Sequence, residues 1–356
     1  MSHHLIPGKE SANFYMSKIN IKWLAVYHNY CQPLLIFIIK RILHMVPILF
    51  CVVAIGFLLI QIAPGDILSD MRLNPDIKPE TLERFIERFG LNDPWYVQLI
   101  KYIRNIFRGD FGFSESFKAP VFKIINRLAP NTLLLAFVSL LVAWGLSIPA
   151  GIISAVYQYK WQDQLISFIA FIGLSIPNFF LAFLLIYTVT ATGAWLPIGG
   201  MQSVNFSNLN WFEKILDVLK HLIIPVIVLS TSAMAQLTRI MRANMLEVLN
   251  QPYIKTARAK GLKEQLVISQ HALKNAINPM ITIFGFQFGA LLSGAALTEA
   301  VLSWPGLGKL ILNATISQDL YLVVGSLIYS VILIMLGNLL ADILLVIIDP
   351  RIRMGK

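Results

Sequence analysis

The side chains that could do chemistry in this sequence do not form a common catalytic or phosphate-binding motif. The segment from Pro305 to Lys309 places a glycine pair before a lysine. It lacks the G-x-x-x-x-G-K-S/T spacing and the hydroxyl residue with which such loops hold phosphate and Mg²⁺. The sequence also contains no H-E-x-x-H, no G-x-S-x-G and no cluster of metal ligands. We therefore expect that the chain is not an enzyme, and that another subunit supplies any chemical energy.

Two acidic residues, Glu299 and Asp342, lie at the edges of long apolar stretches. A charge at the centre of a bilayer costs at least about 2.5 kcal/mol on insertion scales, so such residues often mark ion or proton pathways. An ion-coupled carrier would usually bury more such groups near the midplane and show an internal repeat. An interhelical hydrogen bond or an interfacial position is the simpler interpretation of both residues.

The most informative polar segment follows the fourth long apolar stretch. Residues 253–260 predict a short basic helix in which Ala257 and Ala259 leave the backbone accessible. Gly261 can adopt a left-handed conformation and end this helix. A second helix is predicted over 262–274, with four residues on one face at helical spacing: Leu262, Leu266, Ser269 and Leu273.

Two interpretations of this segment remain open from the residues alone. An ordinary basic loop on the cytoplasmic side would explain the charge, but not the order of small residue, glycine and amphipathic helix. Two short helices held between two membrane spans would instead form a compact lever that docks to a cytoplasmic partner.

The elements that position this segment are membrane spans. The chain is 56% hydrophobic and 13% charged, with a mean hydropathy of +0.68, which excludes a soluble multidomain protein. A span needs about 20 apolar residues. Six stretches without Asp, Glu, Lys or Arg predict six spans, the third limited to its apolar first part and the fourth continuing as an amphipathic helix: 42–65, 128–159, 164–212, 221–238, 275–298 and 320–341.

The basic residues of the short loops predict the orientation of these spans. Lys40 and Arg41, Lys160, the seven basic residues between 239 and 274, and the C-terminus all fall on one side of a six-span chain. Because short cytoplasmic loops are enriched in Lys and Arg, both termini are expected in the cytoplasm. The net charge of +10 then reflects topology, and no nucleic-acid partner is expected.

Two runs in the polar segment resemble the EAA-type coupling loop of binding-protein-dependent ABC importer permeases, in its dipeptide and oligopeptide form. They are TARAKGL, from Thr256 to Leu262, and HALKNA, from His271 to Ala276. Further agreement covers about residues 36–353 and is specific for the first of the two peptide-type permease subunits, in these stretches: 40–66, 91–112, 304–308 and 348–353.

The resemblance implies an all-α integral membrane protein with six transmembrane helices in the ABC importer type I permease architecture. The matching stretches place the permease domain at 36–353. Residues 1–35 are expected to form a cytoplasmic extension, which is longer than the family norm, and 354–356 a C-terminal tail. Within the permease domain, 66–127 is the external insert between helices 1 and 2, and 250–279 is the cytoplasmic coupling loop.

The resemblance also implies the partners and the location of the chain. These are a second homologous permease subunit, two cytoplasmic ABC ATPase subunits, an external solute-binding protein and the lipid of a bacterial cytoplasmic (inner) membrane. No cofactor is expected in this chain, because the partner ATPases bind ATP and Mg. The implied function is the transmembrane subunit of an ATP-driven importer for peptides or peptide-like solutes.

The implied ATPase-coupling residues lie on positions that match the family motif. Ala257 and Gly261 would allow close backbone approach and the helix turn, while other residues would shape or face the ATPase groove. The full set is Thr256, Ala257, Gly261, Leu262, His271, Ala272, Asn275 and Ala276.

Alternatives for the cargo and the energy source also stand. Permeases of this type handle nickel chelates, oligosaccharides and peptide antibiotics, and the long outer loop 199–220 resembles a subgroup associated with microcin-like peptides. The competing class is a secondary transporter that works without ATP.

Overall fold

The computed structural model describes residues 32–62, 79–80, 83, 86–87 and 93–348 of this 356-residue chain. Several predictions lie outside the described residues. They are most of the extension 1–35, much of the first half of the insert 66–127, and the tail 354–356.

The described chain is almost entirely helical. Its elements in order are α1 (Gln32–Ile62), α2 (Trp95–Phe107), strands β1 (Phe113–Ser114) and β2 (Ala119–Pro120), α3 (Val121–Val156), α4 (Trp161–Ser175), α5 (Asn178–Thr192), α6 (Trp211–Leu249), α7 (Pro252–Ala259), the segment α8, α9 (Asn278–Val301), α10 (Leu307–Ile316) and α11 (Leu320–Ile348). Segment α8 has three continuous parts, Glu264–Leu266, the π-helical Val267–Ala272, and Leu273–Ala276. The two short strands form an antiparallel hairpin.

The predicted all-α membrane architecture is confirmed. Four helices are long and apolar enough to cross a membrane, namely Ile38–Leu59 within α1, all of α3 and α6, and Leu320–Leu340 within α11. Helices α4 and α5 meet the same criteria only as a pair. Helix α9 occupies the predicted fifth position, and its 24 residues extend about 36 Å at the usual helical rise.

The third predicted span is two helices instead of one. Helices α4 and α5 are bent by 103° at the break between them. Ile176 has an extended backbone with ψ 119°, and Pro177 precedes the first turn of α5. Proline disfavours helical geometry in the residue before it, so the chain turns here although both sides are apolar.

Helix α6 is longer than the predicted fourth span at both ends. The predicted continuation beyond residue 238 is confirmed. At the other end the Asn210 side chain accepts a hydrogen bond from the Glu213 N–H at 2.9 Å, and the Glu213 carboxylate accepts from the Asn210 N–H at 3.0 Å. This capping box starts the helix at Trp211. Residues 211–220, the second half of the predicted outer loop 199–220, therefore belong to α6.

Helix α6 packs against α3, α4, α5 and α9, while α11 packs against α1 and α9. Asp342, one of the two acidic residues at the span edges, joins α11 to α1. Its carboxylate lies 2.8 Å from Nε of Arg41 and accepts a second hydrogen bond from that guanidinium at 3.0 Å. The pair holds the N-terminal part of α1 beside the C-terminal part of α11.

Glu299, the other acidic residue, is fully buried and holds the N-terminus of α10. Its carboxylate accepts hydrogen bonds from the Thr132 hydroxyl at 2.7 Å and from the backbone N–H groups of Gly308 and Lys309 at 2.8 and 3.1 Å. A Cβ at Gly306 would lie 2.3 Å from this carboxylate, so any other residue there would displace the Glu299 side chain from its partners. The predicted structural role of Glu299 is therefore confirmed.

The described end of the insert is anchored on the same end of the bundle as Glu299. Tyr102 of α2 and Phe111 are buried against α1 and α11. Asp319 accepts hydrogen bonds from the Ser114 hydroxyl at 2.6 Å and from the Leu322 N–H at 3.2 Å. Asp319 thus links the hairpin to the first turn of α11.

Candidate functional site

Helix α7 and the turn that follows it have the predicted geometry. Pro252 stands in the first turn of α7, where its missing N–H costs nothing. Gly261 has φ +75°, which is the predicted left-handed conformation. The Gly261 N–H donates to the Arg258 carbonyl at 2.9 Å, and the Leu262 N–H donates to the Ala257 carbonyl at 3.4 Å. These two bonds form a Schellman motif, which satisfies the last carbonyls of the helix.

Segment α8 buries Val267, Ala272 and Ala276, whereas Leu262 and Leu266 are 37% and 36% exposed. The π-helical stretch 267–272 has i→i+5 hydrogen bonds, which place Val267 and Ala272 on the same face. Of the four residues predicted to share one face, Leu262, Leu266 and Ser269 lie on the exposed side, and Leu273 packs partly against the buried cluster.

The buried face of α7 and α8 joins the loop to α6. Ile254 and Ala257 from α7 pack in one cluster with Met241 and Met245 of α6, together with the buried face of α8. The Asn244 amide also donates to the Ala276 carbonyl at 3.2 Å. Because this contact combines apolar packing with a polar anchor, α7, α8 and the end of α6 form one rigid unit.

Two polar contacts join α7 directly to α8. Arg258 makes a double hydrogen bond to the Glu264 carboxylate, at 3.1 and 2.6 Å. This pairing lowers the pKa of Glu264 below its usual range and raises the pKa of Arg258. The Asn275 amide donates to the Tyr253 hydroxyl at 3.1 Å and to the His271 carbonyl at 2.9 Å.

The eight predicted coupling residues divide between an inner and an outer layer of this unit. Ala257, Ala272 and Ala276 are buried and fix the helices against α6. The other five are exposed or half-buried and lie outside that packed face: Thr256, Gly261, Leu262, His271 and Asn275.

The outer layer, with Tyr253 and Leu266, is called the α7–α8 surface below. It combines exposed apolar side chains with exposed lysines on either side of the turn, Lys255, Lys260 and Lys263. Such a mixture of apolar and basic groups is suited to docking a protein partner with an apolar groove and an acidic rim.

A second contact at this end of the bundle was missed by sequence reasoning. The Asp163 carboxylate, only 4% exposed, accepts two hydrogen bonds from Arg242 at 2.7 and 2.8 Å. It also accepts from the Ser154 hydroxyl and from the Tyr159 N–H, the latter at 2.9 Å. This cluster ties the end of α3 and the start of α4 to α6, at the level where α6 packs against α7 and α8, a unit called the coupling unit below. An acidic residue at the start of a span, opposite an arginine in an amphipathic extension, is the signal that could have found it.

No group of three or more His, Cys, Asp or Glu side chains in the described part of the chain is arranged to hold a metal ion. The site consists of packing surfaces and fixed hydrogen bonds.

Comparison with known proteins assigns the sequence to a family. Residues 147–354 match the family model for the binding-protein-dependent transport system inner membrane component, and residues 34–136 match the model for the N-terminal part of such membrane components. The chain belongs to this permease family.

Relatives align with the permease over most of their length. It is 44% identical over 317 residues to the oligopeptide transport system permease protein AppB of Bacillus subtilis, covering 89% of this chain and 98% of AppB. It is 36% identical over 318 residues to the glutathione transport system permease protein GsiC of Escherichia coli K12, with 89% and 98% covered. The family assignment makes the permease a multi-pass membrane subunit and not an enzyme, and ATP hydrolysis belongs to partner subunits.

A solved structure supports the fold of the permease. An inward-facing structure of the MetNI methionine ABC transporter matches with a TM-score of 0.51 and 19% identity, covering 67% of this chain and all of that one. At this identity the match establishes the ABC permease fold alone.

Proposed function

We propose that this permease forms, with a second similar permease subunit, the translocation path of an ATP-driven importer for peptides or peptide-like solutes. The relatives named for oligopeptide and glutathione transport support this cargo class, since they align with the chain almost end to end. An external solute-binding protein delivers the cargo, and two cytoplasmic ATPase subunits bind ATP and Mg²⁺. Both termini and the α7–α8 surface lie on the cytoplasmic side.

The observation that carries the proposal is the rigid attachment of the α7–α8 surface to α6. Leu262, Leu266 and Tyr253 are exposed in this chain and would be covered by an ATPase subunit. Movement of that subunit would pass through the buried side chains Ile254 and Val267 into the end of α6. Because protein interiors are close-packed, such a unit moves as a body.

From α6 the movement reaches the rest of the bundle through Arg242. Its paired hydrogen bonds with Asp163 connect α6 to the bent pair α4–α5. We propose that this link converts tilting of α6 into movement of the bent pair, which exposes the path alternately to the two sides.

The test is transport by the reconstituted complex with its partner permease, ATPases and binding protein. Proteoliposomes should accumulate a labelled oligopeptide only with ATP, and an ATPase variant unable to hydrolyse ATP should abolish accumulation. Uptake by this chain alone in empty liposomes would show that the protein is a secondary transporter.

A further inference from the structure

The most exposed stripe in the C-terminal half of helix α6 is mainly polar. Its members are exposed or half-buried and are spaced three or four residues apart: Ser232, Gln236, Arg239, Ala243 and Glu247. The stripe ends towards the N-terminus of α6, because Val228 and Leu229 are buried. It therefore runs from the middle of the membrane-crossing helix to the end that carries the coupling unit.

The exposed faces of other helices have the opposite character. Helices α1, α4 and α5 expose large apolar side chains, for example Leu43, Ile55, Phe168, Phe179 and Phe183. Such faces suit lipid or an apolar interface. A primary amide that faced lipid at the same depth would leave polar groups without partners, at a cost of several kcal/mol.

The Gln236 side chain is oriented by a hydrogen bond from a second glutamine on the neighbouring helix α9. Gln287 of α9 is only 6% exposed, and its amide nitrogen donates to the Gln236 side-chain oxygen at 3.2 Å. Within the described part of the chain, the Gln236 side chain makes no other hydrogen bond. Its own NH₂ group keeps two donors for a ligand on the exposed side.

We infer that Gln236, oriented by Gln287, lines a water-filled part of the translocation path and hydrogen-bonds the peptide groups of the cargo. The inference rests on the proposed function and names the chemistry by which the path recognises its cargo. An uncharged amide complements the C=O groups of any peptide, whatever its side chains. The exposed Arg239, one turn further along the same stripe, lies over the ring of Phe171 at 5.4 Å from its centroid and adds a positive charge to this face.

The first test compares two thiols that are both exposed in this chain. Cys51 lies on the apolar helix α1 and is exposed. One protein keeps Cys51 as its sole cysteine; the other carries Gln236→Cys with Cys31 and Cys51 replaced by serine. In assembled complexes in nanodiscs, a membrane-impermeant maleimide should label Gln236→Cys at least about tenfold faster, because the thiolate forms readily only in water. Equal rates would overturn the inference.

The second test measures uptake of labelled tetra-alanine by the reconstituted complex. Gln236→Leu should lower initial uptake about three- to tenfold, the effect of one or two lost hydrogen bonds. Gln287→Leu should raise the KM for tetra-alanine more than it lowers the maximal rate, because it acts through the position of Gln236. The control is Thr188→Val on the exposed face of α5, where the hydroxyl donates only to the Leu184 carbonyl at 2.8 Å.

The outcomes separate this inference from the proposed function. Wild-type uptake with unchanged uptake by Gln236→Leu overturns the inference alone. No ATP-dependent uptake of tetra-alanine by the wild-type complex counts against the proposed peptide importer, and the maleimide rates still decide whether Gln236 faces water.

Discussion

Replacement of Gly261 by valine is expected to uncouple transport from ATP hydrolysis. Gly261 has φ +75°, and the turn depends on this conformation, because the two backbone hydrogen bonds that close α7 form only around it. A Cβ added at Gly261 would meet nothing within 4 Å. The substitution therefore adds backbone strain without a steric clash, which makes its effect simple to interpret.

The strain sets the size of the effect. A left-handed conformation costs an ordinary L-residue about 1–2 kcal/mol, and a β-branched residue lies at the upper end. About 2 kcal/mol corresponds to a roughly 30-fold shift of the equilibrium away from the closed turn. Asparagine tolerates this conformation, so Gly261→Asn is the matched control.

The assay measures ATP hydrolysis and peptide uptake in the same proteoliposomes. Gly261→Val should lower the number of peptides taken up per ATP hydrolysed, while the complex still assembles. Gly261→Asn should stay close to wild type. Equal coupling ratios for all three proteins would refute the conclusion that the left-handed turn is needed for coupling.

Three further predictions concern the contacts that hold the bundle together. Arg242→Leu should lower the unfolding free energy by about 3–5 kcal/mol in detergent, because it leaves the buried Asp163 carboxylate unpaired; the loss should be small in the double variant with Asp163→Leu. Glu299→Gln should cost about 1–3 kcal/mol, measured by thermal unfolding, because the side chain loses its charge and one of its two acceptor oxygens becomes an NH₂ donor, so either the Thr132 hydroxyl or the two backbone N–H groups lose an acceptor; wild-type stability would contradict the capping role. Glu264 has a lowered pKa, so the stability from its pairing with Arg258 is present above the ordinary value of 4.5 and is lost as pH falls through the lowered value. Exchange of the α7–α8 backbone amides, corrected for intrinsic rates, should then be constant from neutral pH to about 5 and faster below 4, and Glu264→Gln should abolish this dependence.

Local signals explain which parts of the coupling unit the sequence could predict. A glycine directly after a short helix is a local feature with one common geometry, so the turn at Gly261 was predictable. The π-helical stretch 267–272 inserts one residue into a helical turn and leaves no mark in composition, so the sequence did not show that Val267 and Ala272 share the buried face of α8. Leu262 and Leu266 lie on the outside of this chain, while Leu273, predicted on the same face, packs partly against the buried cluster.

Tertiary contacts account for what the sequence could not show in the bundle. Asp163 and Arg242 are 79 residues apart, and their pairing follows from the packing of α4 on α6. Hydropathy located the long spans because apolar runs of sufficient length have few alternatives in a membrane. Hydropathy did not show the 103° bend, for which Pro177, a residue that invites a kink within a span, is the local signal.

The central claim is that the α7–α8 surface docks to an ATPase subunit and carries its movement into α6. The most direct measurement is cross-linking in the assembled complex, with Leu262→Cys as the sole cysteine of this chain and a short maleimide that carries a photoreactive diazirine, which inserts into nearby bonds and needs no thiol on the partner. Leu262→Cys should form a covalent product with the ATPase, and the yield should change between the ATP-bound and nucleotide-free states. Trp211→Cys, at the opposite end of α6 and 74% exposed, should form none. An intact, transport-active complex in which Leu262→Cys gives no ATPase product would contradict the account.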